Sequence, residues 1–189
     1  MIFPGKVRRY RRRGRRLATL VAVGVVVAAA NVFALAGVAH AVSSTTCVGS
    51  SSITYSPGLT FMPRTVQYTE SETFRSCVST DPTLVSGSSA TSETFPGASC
   101  LVPPGVIVDP AYTISWNNGQ QSVIELTFTD VVVGGTEQVT GTGPVISGEF
   151  QGGNATIVWL YPVLNPLQCL TSQGVTDLSG PFVAQITGP

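Results

Sequence analysis

The chain has 189 residues, 43% of them hydrophobic, with ten basic and ten acidic side chains, one histidine and four cysteines. The formal net charge of zero conceals an asymmetry: eight basic residues and the histidine lie before position 42, so residues 42–189 set Arg64 and Arg75 against ten acids, a net charge of −8. That later region repels phosphate backbones and anionic membranes, and without histidine or lysine it excludes Ser-His-Asp, Cys-His and Schiff-base chemistry and imidazole-ligated metals.

Residues 1–16 carry Lys6 and seven arginines, residues 17–38 are almost entirely apolar, and Ala39-His40-Ala41 follows. A basic segment, an apolar segment and small residues at the two positions a signal peptidase reads predict a secretory signal peptide over 1–41, cleaved after Ala41. The competing reading is an uncleaved anchor, since Leu17–Val38 is long enough to span a bilayer with the arginines on the cytoplasmic side. Either way residues 42–189 lie outside the cell, as a single domain. Leu17-Ala18 after Arg15-Arg16 fits a twin-arginine signal poorly, and Ser44-Thr45-Thr46 before Cys47 does not fit a lipoprotein site.

In an exported chain the four cysteines, Cys47, Cys77, Cys100 and Cys169, read as two disulfides among three possible connectivities. Two strands rich in Ile53, Tyr55, Val66, Tyr68 and Phe74, joined near Met62-Pro63, place Cys47 opposite Cys77 and leave Cys100 to pair with Cys169. No CxxC spacing supports a metal site. Ser86–Ser92 is polar and small and predicts a long loop, or a linker between an N-terminal hairpin and a C-terminal meander. Val106-Ile107-Val108, between Pro103-Pro104-Gly105 and Asp109-Pro110, predicts an edge strand or extended connector.

Residues 111–162 predict that antiparallel meander, with strands Tyr112–Trp116, Gln121–Val133, Thr136–Thr140, Val145–Phe150 and Ala155–Tyr161 divided by Gly- and Asn-rich turns. Because side-chain period is two, loop length decides which faces meet. A three-residue Asn117-Asn118-Gly119 loop sets Tyr112 opposite Ile124 and Ile114 opposite Ser122, uniting the apolar faces, with Gly119 in the left-handed region of a bulged type I turn. Residues 164–174 read as a loop pinned by Cys169, and the last strand as Val175–Thr187, broken or bulged at Gly180-Pro181. The class expected is all-β: a two-layer antiparallel sandwich, immunoglobulin-like, after an N-terminal signal helix, with a flattened barrel as the alternative.

The carboxylates Glu125, Asp130, Glu137 and Glu149 keep a glycosidase-type acid pair open, although acids are expected on any extracellular surface. The glycine pairs open no helix and stand near no basic residue, so they read as turns; Asn154-Ala155-Thr156 is a glycosylation sequon whose plainer reading is a turn entering a strand. Trp116 and Trp159 are the candidate ligand contacts, but each shares a strand face with apolar neighbours, and core is the better reading of both. No Asp-x-Asp loop supports Ca²⁺, and no cofactor or metal is expected.

Thr46-Cys47, Tyr55-Ser56-Pro57-Gly58-Leu59, Trp116-x-x-Gly119, Gly141-Thr142-Gly143, Gly148-x-Phe150-x-Gly152 and Cys169 give residues 46–187 a pattern that resembles uncharacterised secreted β-sandwich proteins of actinobacteria. That group has no established activity, so the resemblance implies an extracellular β-domain and carries over no functional residue. Ser99-Cys100-Leu101-Val102-Pro103 faintly resembles the reactive loop beside a cysteine in secreted subtilisin inhibitors. The expectation is a secreted, non-enzymatic domain with a binding or structural role, its partner a cell-wall glycan, a protein or a small apolar ligand. Nucleic acid is excluded, and membrane enters only through an uncleaved leader. The alternatives are a protease inhibitor and a small glycan-active enzyme.

Overall fold

The computed structural model describes residues 42–105 and 108–189. The expected signal helix, its cleavage residues Ala39 and Ala41, and the Val106-Ile107 part of the connector lie outside the described residues. Among the described residues eight strands run in chain order: β1 (Ser44–Leu59), β2 (Arg64–Ser79), β3 (Gly87–Ala98), β4 (Val108–Trp116), β5 (Gln121–Val133), β6 (Thr136–Gly148), β7 (Asn154–Pro162) and β8 (Val175–Thr187), with a helical turn α1 (Pro166–Cys169) before β8. Each pairs antiparallel with the next, and β8 returns to β1 from Ser44↔Thr187 to Leu59↔Val175, so the sheet is a closed barrel.

This corrects the expected two-layer immunoglobulin-like sandwich. A sandwich and a closed meander share the same alternation of buried and exposed positions, so side-chain pattern alone does not separate them. What decides is the chain's two outer strands. β1 and β8 are long and free of the lysines that blunt exposed edges, and here they satisfy each other's hydrogen bonds.

The β4–β5 hairpin has the expected register, Tyr112↔Ile124 and Ile114↔Ser122, with Gly119 at φ 84°. Cys47–Cys77 ties β1 to β2 and Cys100–Cys169 ties the β3–β4 loop to α1, the pairing the strand pattern predicts. Three expectations fail. Ser86–Ser92 lies largely within β3. Gly141-Thr142-Gly143-Pro144 is no turn but the middle of β6, whose glycines let strands approach: a Cβ on Gly143 would stand 1.8 Å from the Glu125 carbonyl oxygen. Gly180-Pro181 pairs with β1 without a register shift, and the irregularity in that ladder falls instead between Thr54 and Leu59.

Alternation sends apolar residues inward and hydroxylated ones outward. On β2, Val66, Tyr68 and Phe74 face in while Thr65, Gln67, Ser71 and Thr73 are exposed. That is the reverse of a membrane-spanning barrel, which is apolar outside and polar within. Among the described residues no helix is long and apolar enough to cross a membrane.

One end of the barrel is packed shut. Phe74 meets Phe182 at 4.7 Å and Trp116 at 5.8 Å between ring centroids, Phe150 from the β6–β7 loop adds a fourth ring, against Trp116, and Leu84 of the β2–β3 connection is buried as well. The other end, where the β1–β2, β3–β4, β5–β6 and β7–β8 connections gather, is open. The ladder is weakest between β3 and β4, which pair only at Gly87↔Trp116 and Ser88↔Ser115 and then diverge toward the open end.

Candidate ligand-binding cavity

Above the packed rings the barrel holds a cavity of about 330 Å³ that reaches the open end and the diverging edges of β3 and β4. Its walls come from the same alternation that builds the core. Tyr55 of β1, Tyr68 of β2 and Phe95 of β3 stand side by side, with successive ring centroids 6.0 and 5.8 Å apart. Across from them Trp159 of β7 meets Tyr112 at 6.3 Å and Phe128 at 5.9 Å. Gly141 on β6 makes room for this group, since a Cβ there would touch both Trp159 and Phe128. Leu164, Leu178 and Pro103-Pro104 narrow the mouth.

Two glutamates on β2 lie on the inner face two residues apart. Glu70 is half-buried and accepts hydrogen bonds from the hydroxyls of Ser51 (2.6 Å), Tyr161 (2.9 Å) and Tyr68. Glu72 is deeper, 3% exposed, and accepts from the Tyr112 hydroxyl and the Trp159 indole N–H. Burial, reinforced by the charge of Glu70, raises the Glu72 carboxyl to about 7 against the opposing pull of those donors. The same burial and carboxylates push the hydroxyls of Tyr55, Tyr68, Tyr112 and Tyr161 up, so all four stay protonated, and those of Tyr68, Tyr112 and Tyr161 donate to the glutamates.

Nearer the opening, Glu93, Asp109, Asp130 and Glu137 also border the cavity. The Glu137 carboxyl is raised by burial and by Asp130 across the β5–β6 hairpin. No lysine, arginine or histidine is among the described lining residues. Arg64 binds the carbonyls of Gly58 and Gln173, and Arg75 is exposed on the outer face of β2. Among the described residues, no three His, Cys, Asp or Glu side chains converge closely enough to hold a metal ion.

The structure separates the residues that stand out in the sequence. Trp159 is a cavity wall, whereas Trp116 is buried in the packed end, its indole N–H on the Ser122 hydroxyl at 2.8 Å. Asp130 and Glu137 reach the cavity; Glu125 is exposed on the outside and Glu149 lies at the closed end. Ser99–Val102 closes on itself in a tight turn, with reciprocal Ser99 and Val102 backbone bonds of 2.9 and 3.2 Å. Glu70 and Glu72 escape the sequence reading. Their signal is Tyr68-x-Glu70-x-Glu72-x-Phe74, two acids on a strand face otherwise aromatic.

Comparison with protein-family models, with curated proteins and with solved structures finds no match.

Proposed function

We propose that this chain is a non-enzymatic extracellular binding protein that carries a small, largely apolar molecule inside its barrel. The observation that carries this reading is the cavity itself: aromatic on opposing walls, shut at one end, open at the other, and of ligand size. Two disulfides fit an oxidising compartment, as does the predicted leader. A buried carboxyl with a raised pKa is a common sign of catalysis. Here, however, the carboxylate oxygens of Glu70 and Glu72 are held by fixed phenol, indole and hydroxyl donors, an arrangement suited to a rigid polar floor rather than to passing protons to a substrate.

Titration calorimetry with neutral aromatic probes such as tryptophol tests the reading. Uptake is expected in the wild type and is expected to vanish in Val139→Trp, which places a large side chain on the cavity wall. Failure of tryptophol and of its charged analogues to bind, or equal binding by Val139→Trp, refutes the carrier.

A further inference from the structure

The cavity's charge narrows the choice of occupant. Six carboxylates border it, four toward the mouth and two at the floor, and no cationic side chain among the described residues compensates them. Burying a carboxylate pair without a counter-cation costs several kcal/mol, and a barrel meant for a neutral guest could line the same floor with neutral groups and avoid that cost. An anionic guest such as a fatty acid would pass the mouth carboxylates and end against two more.

The rings supply the second, independent observation. Tyr68 and Tyr161 bond Glu70, Tyr55 stands beside Tyr68, and Trp159 bonds Glu72 while lining the cavity; aromatic faces attract a positive charge while packing apolar surface. A carboxylate offers about four acceptor positions. Glu70 has three donors and is only half-buried, which leaves it able to accept one more from inside the cavity. A metal cation fits poorly, because no three acidic side chains of the described residues converge.

We infer that the occupant is a compact organic cation, an aryl- or alkylammonium whose apolar body lies among the rings and whose charged nitrogen hydrogen-bonds Glu70 beside Glu72. The inference rests on the carrier reading and names its ligand class.

Three probes of one shape and different charge test it: tryptamine, tryptophol and indole-3-acetate, titrated calorimetrically into the purified protein at low ionic strength. Tryptamine is expected to bind roughly 30-fold tighter than tryptophol, the contribution of one charge-assisted hydrogen bond with cation–π contact, and indole-3-acetate weakest. Glu70→Gln is expected to bring tryptamine and tryptophol near parity, the preference for the cation falling from about 30-fold to within a few-fold. The series on the wild type is decisive even if that variant fails to fold. Tryptophol or indole-3-acetate binding as tightly as tryptamine, with Val139→Trp still blocking uptake, overturns the cation and leaves the carrier standing. If none of the three binds, both fall.

Discussion

At Glu72 the side chain's charge and its burial conflict. The group is 3% exposed and its carboxyl is raised from 4.5 to about 7. The folded state therefore holds this proton more tightly than the unfolded chain, so its contribution to stability is greatest below about pH 4.5, falls as pH rises toward 7, and is flat above. The span corresponds to about 3 kcal/mol. Glu72→Gln should remove this loss, because the Tyr112 hydroxyl can turn to accept from the new amide while Trp159 still donates to its oxygen. Thermal melts are expected to show the variant more stable than wild type at pH 8 and converging with it at pH 4.5; a variant less stable at both pH values would show that the charged form is the one the fold prefers. Gly143 makes an opposite demand, for no side chain at all. A Cβ there meets the Glu125 carbonyl at 1.8 Å, so Gly143→Ala must pry β5 from β6. A loss of about 3 kcal/mol or more in urea unfolding is expected, against well under 1 for alanine at the open loop position Gly105.

Among the elements, the two disulfides close loops of different reach but similar worth. Cys47–Cys77 spans 30 residues and Cys100–Cys169 spans 69, which the chain-entropy model converts to about 4 kcal/mol each. Their effects on binding should differ. Only Cys100–Cys169 joins connections at the open end, where Phe61 N–H also bonds the Cys169 carbonyl and Cys100 N–H the Thr60 carbonyl. Replacing that pair with serines is expected to weaken probe uptake as well as stability, whereas replacing Cys47 and Cys77 lowers the melting temperature with affinity intact; calorimetry beside thermal melts separates the two. Strands built for packing are legible in the sequence, and those built around the cavity are not. β4, β5 and β8 alternate plainly, and loop parity alone yields the β4–β5 register. β3 is hidden because its inward positions are Ser89, Thr91 and Glu93, cavity residues that erase the apolar period. β6 reads as two strands because glycines required by close approach look like glycines required by a turn. The glutamate pair escapes notice for the same reason as β3: acids in a strand suggest a wet face, and only closure of the sheet turns that face inward.

For the whole molecule, closure joins strands from opposite ends of the described residues. Ser44 pairs with Thr187, and Gly188 N–H bonds the Ser43 carbonyl at 2.7 Å. Such long-range pairing predicts slow folding, on a scale of milliseconds to seconds rather than microseconds, measurable by stopped-flow refolding. The fold's ends thus meet at a strong ladder, while its weakest ladder, β3–β4, lies in mid-chain with two register pairs. The two ends of the described barrel can therefore be exchanged for that gap. A circular permutant that joins residue 189 to residue 42 through a short Gly-Ser linker and opens at Gly105 would run β4 to β8, then β1 to β3, breaking no extensive ladder and leaving each strand its neighbours. Its new termini would hang at the mouth of the cavity, within the span that Cys100–Cys169 tethers, so a fluorophore fused there would report directly on whether the barrel is occupied.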